Sequence, residues 1–363
     1  MLPVGDLAVH PPLGSGGRLP DRLWGLLPGL LVALAVAVVA TVAGRTVPVL
    51  GGPVSGIVLG VLAAAVVGRT LGADRLDRLR PGLRFAARPI LQASIVLLGG
   101  TLSLEQVAAV GLASLPVMLG TLTVALLGAW LLGRLLGVRG DTQLLIGVGT
   151  AICGASAIAA TQAVIRARDS EVAYAIGTIF TFNIAAVLLF PPLGHLLHLD
   201  AHAFGLWAGT AINDTSSVVA AGYGYGGDAG PYSVVVKLTR SLVLVPIVLA
   251  LGLRSARRAG PTPGAGTPSA TRLPRWTTIV PLFLLGFVAA SALVTLHVIP
   301  AAWHSGLTVA GTFLITTALA GIGLALRPAD LARVGARPLL LGAALWVLVA
   351  TSSLGLQALT GSL

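Results

Sequence analysis

Long apolar runs separated by short polar loops dominate the chain. Eleven such runs lie at approximately residues 23–43, 47–68, 86–104, 107–133, 142–165, 171–194, 203–222, 231–253, 277–298, 305–326 and 338–359. A helix of about 20 apolar residues is long enough to cross the hydrocarbon core of a bilayer. The pattern therefore predicts an all-α polytopic membrane protein with about 9 to 11 transmembrane helices.

The polar stretches divide the chain into four parts. Residues 1–22 are rich in Pro and Gly and lack the charged start and apolar core of a signal peptide, which predicts a disordered tail. Segments one to eight occupy residues 23–253, a Pro- and Gly-rich stretch at 254–276 predicts a flexible cytoplasmic linker, and residues 277–363 hold segments nine to eleven. Within the first group, residues 69–84 alternate Leu with Arg, as either a short interfacial helix or a solvated loop would.

Composition excludes a soluble globular protein. The chain is 56% hydrophobic and 10% charged with a mean hydropathy of +0.95, far from the soluble norm of about 25% charged residues. One cysteine, Cys153, excludes a disulfide framework. The net charge of +11 comes from cations in the loops, so it reports membrane orientation and predicts lipid rather than nucleic acid as a partner.

The distribution of cations predicts the orientation. With eleven full crossings and a cytoplasmic N-terminus, about 18 Lys and Arg residues lie in inner loops and about 3 in outer loops. Arg166 and Arg168, just after segment five, are two of the three exceptions. The N-terminus is therefore predicted to be cytoplasmic.

An internal repeat marks a candidate site. Residues 149–156, Gly-Thr-Ala-Ile-Cys-Gly-Ala-Ser, recur sixty positions later at 209–216 as Gly-Thr-Ala-Ile-Asn-Asp-Thr-Ser. Small residues of this kind occur where membrane helices approach closely. They also occur where a helix breaks near mid-membrane and frees backbone groups for a substrate, which is the interpretation favoured here.

A second similarity bears on topology. Residues 97–111 resemble residues 319–335 once a two-residue gap is allowed. If segments five and seven are re-entrant hairpins that enter from opposite faces, both similarities become inverted repeats. The same change moves Arg166 and Arg168 inside and improves the cation split to about 20 against 1. In either topology the two breaks face each other.

Three charged residues lie well inside apolar segments, away from their ends. Asp214 lies in the second break, where an unpaired carboxylate would be costly, so it is a candidate for the coupling ion or a partner of a helix N-terminus. Lys237 and Arg240 share one helix face with Thr239 nearby, and they either bind an anion or form a buried ion pair with Asp214. Asn183 is the single carboxamide of segment six and is a weaker candidate.

Four stretches of the sequence resemble a known family: GTAICGASAIAA, EVAYAIGTIFTFNIAAVLLFPPLG, FGLWAGTAINDTSSVVAAG and VVKLTRSLVLVPIVLAL. They are similar to the sulfate exporter family of bacterial inner-membrane proteins, from about Val54 to the C-terminus. That family looks related to the cation/proton antiporter and anion transporter superfamily, which implies inverted repeats and broken helices. The family often has His-Asp where this chain has Asn213-Asp214, so the resemblance does not support coupling through a histidine.

The resulting hypothesis is a secondary active transporter of a small anion, such as sulfate or a sulfonate, by alternating access. Lys237 and Arg240 would neutralise the anion, Asp214 would bind a coupling proton or cation, and no cofactor or metal is expected. The other proposed substrate-binding residues are Thr239, Thr150, Ser156, Thr210, Asn213, Thr215, Ser216 and Asn183. The alternatives are a cation/proton antiporter using Asp214 and, from a different class, a membrane enzyme or sensor subunit. A homo-oligomer is left open.

Overall fold

The structure is a computed structural model that describes residues 19–46, 51–71, 73–259, 282–326 and 335–363. Every regular element in these residues is helical. Six helices or helix pairs are long and apolar enough to cross a membrane, and shorter apolar helices lie beside them. The chain is therefore an all-α polytopic membrane protein, as the apolar pattern predicts.

Fifteen α-helices lie in the described residues. They are α1 (Leu19–Thr46), α2 (Gly51–Leu71), α3 (Ala73–Phe85), α4 (Leu91–Gly99), α5 (Leu104–Leu135), α6 (Asp141–Ala151), α7 (Ala155–Ile165), α8 (Asp169–Leu196), α9 (Ala201–Ala211), α10 (Thr215–Tyr225), α11 (Ala229–Leu242), α12 (Leu244–Ala259), α13 (Leu282–Thr295), α14 (His304–Ala325) and α15 (Ala336–Thr360). A π-helical turn, Ala86–Ile90, joins α3 to α4 at Pro89, because a proline cannot donate the regular helical hydrogen bond.

Helices α6 and α7 fold back on each other as a hairpin, which we name hairpin 1. A Cβ atom placed on Gly149 would lie 3.0 Å from the side chain of Ile158, whereas nine residues of continuous helix span about 13 Å. The start of α6 and the end of α7 also lie close together, at the open end of the hairpin. The pKa of Arg168, which follows α7, is raised by its hydrogen bond to Glu171 and by the charge of Glu171. The charge of Asp141, at the start of α6, raises it further, which requires that Asp141 is near Arg168.

Helices α9 and α10 form a second hairpin, hairpin 2. The rings of Phe204 near the start of α9 and Tyr225 at the end of α10 stack with centroids 3.7 Å apart. The Tyr225 hydroxyl donates a hydrogen bond of 2.5 Å to the Leu199 carbonyl. Twenty-one residues of continuous helix would span about 30 Å, so this segment cannot be a single crossing.

The hairpins enter from opposite faces of the protein. Helix α8 begins at the open end of hairpin 1 and ends at the open end of hairpin 2, and its 28 residues span about 42 Å. The structure therefore confirms the re-entrant interpretation over eleven full crossings. Within the described residues the elements long and apolar enough to cross are α1, α5, α8, α11–α12, α14 and α15, and the shorter apolar helices α2 and α13 lie beside them.

The helices group into two lobes. The hairpin lobe contains α5 to α12 and α15, and the outer lobe contains α1 to α4, α13 and α14. Helices α2 and α14 pack closely because Gly56 lacks a side chain: a Cβ there would lie 2.9 Å from the Thr316 carbonyl oxygen. The lobes meet where α10 contacts α2, with a Cβ position on Gly51 3.2 Å from the Cα atom of Gly224.

The polar stretches fit the prediction in part. Residues 73–84 of the Leu- and Arg-rich stretch are helical, which excludes the loop, but they continue through the π-helical turn into α4 and do not form a short separate helix. The predicted linker at 254–276 begins inside α12, which continues to Ala259 because residues 254–259 prolong the helix without Gly or Pro. The predicted tail ends inside α1, which begins at Leu19. Residues 1–18, 260–281 and 327–334, which hold the rest of the tail, the linker and part of the second similarity, lie outside the described residues.

Candidate functional site

The sixty-residue repeat extends through both hairpins in register. Helices α6 and α9 start and end sixty residues apart, and so do α7 and α10. In hairpin 1 the break follows Ile152, and Gly154 takes a φ of 64°, a conformation that favours glycine. In hairpin 2 the break is closed by Asp214, an acidic residue suited to begin a helix. The repeat therefore encodes two helix–break–helix units.

The tips of the two hairpins touch. A Cβ atom on Gly154 would lie 3.3 Å from the Cβ atom of Asp214 and 3.4 Å from Cγ2 of Ile179 on α8. Because the hairpins enter from opposite faces, their tips meet within the membrane-spanning part. This arrangement matches the facing breaks that the sequence predicts.

Lys237 joins the two tips. Its side chain is fully buried, and its Nζ donates hydrogen bonds of 2.8 Å to the carbonyl oxygens of Ile152 and Ile212. These residues occupy equivalent positions of the repeat, sixty residues apart. Each carbonyl follows the C-terminal end of a first hairpin arm, where the helix leaves acceptors unpaired and carries partial negative charge.

Arg240 acts in the same way one turn further along α11. It is fully buried, its Nε donates to the Ala151 carbonyl at 2.7 Å, and its Nη2 donates to the Thr150 carbonyl at 3.1 Å. Its Nη1 donates to the carbonyl of Thr210, the repeat equivalent of Thr150. The guanidinium thus caps the ends of α6 and α9 together.

These contacts give the two cations acceptors that the sequence did not predict, namely backbone carbonyls. Anion binding by Lys237 and Arg240 stays a prediction, whereas the predicted ion pair with Asp214 is wrong. Neither cation lies within the 4.0 Å ion-pair distance of the Asp214 carboxylate in the described residues. Sequence shows that two cations share an interior face, but it does not show which acceptors that face meets.

Asp214 is the N-cap of α10. Its carboxylate accepts hydrogen bonds from the backbone N–H groups of Ser216 (3.2 Å) and Ser217 (3.0 Å) and from their hydroxyls (2.6 and 2.7 Å). A carboxylate offers about four acceptor positions, so this network occupies it. The geometry supports the structural alternative for Asp214 and gives no support to its assignment as the coupling-ion site.

The N-terminus of α7 has no corresponding cap. Gly154 stands where Asp214 stands in hairpin 2 and supplies no side-chain acceptor. The first helical hydrogen bond here runs from the Ile158 N–H to the Gly154 carbonyl, so the preceding N–H groups have no helical acceptor. Ala155 and Ser156 are exposed at this point. The tip region therefore contains one capped and one uncapped helix N-terminus.

Two buried amides near the tips lack a partner for their oxygen atoms. Asn183 and Asn213 are each 2% exposed, and the Oδ1 of neither has a hydrogen-bond partner. Asn213 is part of the second break, and Asn183 lies one helical turn beyond Ile179, which contacts the first break. An unsatisfied buried amide costs about 1–3 kcal/mol, so both oxygens are candidate acceptors for a donor group at the tips.

The remaining candidates differ in position. Thr215 and Ser216 are half-buried at the start of α10, and Thr150 contributes its carbonyl to Arg240. The structure directs Thr239 away from the tips, since its hydroxyl donates to Val235 and its side chain meets Gly111 of α5. The Thr210 side chain likewise points away from the tips.

A buried polar network explains the orientation of Thr210. Its hydroxyl lies 2.8 Å from that of Ser353 on α15, which in turn accepts from the amide of Gln357. Neither this network nor the contact of Ser217 with Asp214 is predicted by the sequence pattern described above. Ser217 could have been identified from its place three residues after an acidic N-cap, because the N–H group at that position usually bonds the cap side chain.

This architecture defines a polytopic membrane protein built around two inverted re-entrant hairpins. Residues 28–342 match the family model described as Conserved hypothetical protein 698. The chain belongs to this family of bacterial membrane proteins, whose matching members carry the name UPF0324 membrane protein.

Streptococcal relatives align over nearly their whole length. The UPF0324 membrane protein of Streptococcus pyogenes serotype M6 is 41% identical over 338 residues, which cover 91% of this chain and 96% of the relative. Those of Streptococcus agalactiae serotype V (37% over 345 residues, 93% and 98%) and Streptococcus mutans serotype c (36% over 342 residues, 92% and 97%) are similar. No solved structure matches the chain. The comparisons confirm a bacterial membrane family, and sulfate export stays a prediction.

Proposed function

We propose that the protein is a secondary active transporter of a small anion and that the anion binds at the uncapped N-terminus of α7. The backbone N–H groups of Ala155 and Ser156 and the Ser156 hydroxyl supply donors to it. Helix N-termini bind anions because their free N–H groups and the helix dipole both favour negative charge. The exposed, uncapped α7 terminus, facing a capped one, is the observation that carries this proposal.

The charges at the tips support an anion over a cation. Two helix C-termini and two helix N-termini meet there, and their partial charges of about half an elementary charge each cancel. Lys237 and Arg240 add two positive charges, and Asp214 adds one negative charge. With Lys237 protonated, the sum is about +1, which favours an anion. The two cations thus act on the substrate through the local potential, without contacting it.

The unequal surroundings of the hairpins support alternating access. In hairpin 2, α10 packs against α2 of the outer lobe, and Val219 and Ala220 are fully buried. In hairpin 1, α7 packs against α6, α8 and α12 within its own lobe, and Ala155, Ser156 and Ala163 are exposed. Two equivalent arms, one covered and one open, are what an inverted-repeat transporter shows in one of its two end states.

We assign the protein to the bacterial cytoplasmic membrane, with hairpin 1 opening toward the cytoplasm. Twenty of the 23 Lys and Arg residues then lie on the cytoplasmic side and Arg45 alone lies outside, with Lys237 and Arg240 at the tips. Sulfate and small sulfonates are the first substrates to test, as the sequence resemblance implies.

A cation/proton antiporter is the second candidate. The unpartnered Oδ1 atoms of Asn183 and Asn213 favour it, because oxygen ligands suit an alkali cation. The occupied Asp214 carboxylate and the positive sum of charges oppose it. A sensor or enzyme of the same fold would carry no solute.

Flux into proteoliposomes tests the proposal. We expect the purified full-length protein to transport at least one anion from a panel of sulfate, sulfonates and halides. Ser156→Asp should abolish this flux, because a carboxylate would occupy the α7 terminus. Ser170→Asp is the matched control, since Ser170 is also exposed in the first turn of a helix but lies outside the tips. Ser156→Ala should weaken anion affinity by about tenfold, the equivalent of one lost hydrogen bond.

The alternatives give different results in the same vesicles. Movement of Na⁺ or K⁺ against a proton gradient, without anion flux, would replace the proposal by the antiporter. No flux of any solute by correctly folded protein would favour the sensor or enzyme. Anion flux unaffected by Ser156→Asp would move the binding site away from α7.

A further inference from the structure

A polar pocket lies at the open end of hairpin 1, outside the tip region. It has a volume of about 520 Å³ and is lined by Arg134, Arg139 and Gln143. Arg134 is in the last turn of α5, Arg139 is in the turn that leads to α6, and both are exposed. Neither arginine takes part in the contacts of the proposed transport site.

The pocket is held in shape by local contacts. The Arg134 guanidinium stacks over the Trp130 ring, 4.0 Å from its centroid. The Gln143 amide donates to the carbonyls of Ala129 (2.8 Å) and Trp130 (2.9 Å), which fixes α6 against α5. A third arginine, Arg337 at the start of α15, reaches the same turn, with its Nη1 3.7 Å from a Cβ position on Gly137.

The pocket sits at the end of an apolar outer surface. Leu127, Trp130, Leu131 and Leu135 on α5 are 63%, 53%, 52% and 73% exposed. In a membrane-spanning helix such a surface faces the acyl chains, and a tryptophan with neighbouring arginines is typical of the headgroup level. The pocket therefore borders both the acyl chains and the aqueous interface.

We infer that this pocket binds the phosphate headgroup of an anionic phospholipid, with the acyl chains along the exposed leucines of α5. Guanidinium groups pair with phosphate oxygens through two parallel hydrogen bonds. Basic pockets between helices at the cytoplasmic face suit lipid headgroups. Asp141 follows Arg139 by two residues, and the two arginines that line the pocket still leave it positively charged. This site is independent of the proposed anion site.

Native mass spectrometry and thermal unfolding of the full-length protein in detergent test the inference. The probes are phosphatidylglycerol, phosphatidylcholine and inorganic phosphate. Wild type should retain phosphatidylglycerol and gain melting temperature with it, and should gain much less with the other two. The Arg134→Gln/Arg139→Gln variant should retain it at least about tenfold more weakly, since two charge-assisted contacts are lost. The Arg84→Gln/Arg88→Gln variant removes equal charge from exposed positions on α3 and the π-helical turn and should bind like wild type.

Each contrary result overturns the inference. Equal retention by the pocket variant would place the lipid elsewhere, and equal loss in both double variants would indicate a general charge effect. An equal melting shift with inorganic phosphate would make the pocket a site for soluble anions. If the glutamine variant unfolds, Arg134→Lys/Arg139→Lys keeps the charge but loses the paired geometry, and it should show intermediate retention. Wild-type retention by this lysine variant would exclude recognition by paired guanidinium contacts.

Discussion

At the scale of single residues, Lys237 and Arg240 hold the two hairpins together through backbone carbonyls. The sequence identifies both as interior cations, since neither could face lipid. It cannot identify their acceptors, because those carbonyls lie more than twenty residues away and are freed only by the helix breaks. The four identical residues of the Gly-Thr-Ala-Ile repeat can be explained by these contacts, because both copies present equivalent carbonyls to Lys237 and Arg240.

Arg240→Ala should destabilise the protein strongly. It leaves the buried carbonyls of Thr150, Ala151 and Thr210 without a donor, and loss of a buried charged partner costs about 3–5 kcal/mol. We expect a large fall in melting temperature in detergent. Arg240→Lys should recover only part of it, because one ammonium cannot replace three donors of a fork. Arg84→Ala, at an exposed arginine outside both proposed sites, is the control, and an Arg240→Ala protein with wild-type melting would contradict the capping role.

Asp214→Asn should leave the response of flux to a pH gradient unchanged. The carboxylate already accepts four hydrogen bonds, and a proton on it would displace one of these donors. Asparagine also caps helices well, so the free energy of unfolding should fall by no more than about 1 kcal/mol. Anion affinity should rise, since the variant removes the one negative charge at the tips. Loss of the pH response with intact folding would restore Asp214 as the coupling site.

At the scale of helices, the repeat predicts the hairpins better than hydropathy does. The apolar runs at 142–165 and 203–222 have the length of full crossings, and hydropathy cannot distinguish a crossing from two short arms. Repeat orientation and the positions of Arg166 and Arg168 favour the hairpins, and the folded-back contacts confirm them. The sequence also predicts an uncapped α7 terminus, because Gly154 stands at the repeat position that Asp214 occupies before α10. The sequence does not predict that this terminus is exposed, because its exposure depends on how the two lobes meet.

Gly154→Ala should abolish transport, whereas a variant with similar backbone strain outside the tips should keep it. Gly154 has a φ of 64°, and a new Cβ would press on Asp214 at 3.3 Å. Gly140→Ala imposes the same backbone strain, at a φ of 70°, but its Cβ meets nothing within 4 Å. Both variants should lose about 1 kcal/mol or more of stability. Flux should be lost in Gly154→Ala alone, and equal flux in the two variants would argue against the tips as the site.

At the scale of the whole molecule, the two lobes give the hairpins different neighbours. The outer lobe covers α10 through α2 and leaves α7 exposed. In the alternating access proposed above, the opposite arrangement would cover α7 and open α10. We expect this exchange to leave both hairpins unchanged, because Lys237 and Arg240 bind both tips to α11. The repeat can be read from the sequence, whereas the different surroundings of α7 and α10 follow from tertiary packing.

The open ends of the two hairpins lie on opposite faces of the membrane, so a reagent outside the cell should reach only one of them. Arg168 follows hairpin 1 and Asp228 follows hairpin 2, and both are exposed in short turns. In a Cys153→Ser background, which removes the one native cysteine, we expect Asp228→Cys to react with an impermeant thiol reagent in intact cells. Arg168→Cys should react only after the cells are opened, since the cation bias places its face in the cytoplasm. The reverse pattern would invert the orientation and leave the hairpins intact. Equal labelling of both positions in intact cells would show that the two hairpins enter from the same face, because both open ends would then lie outside the cell.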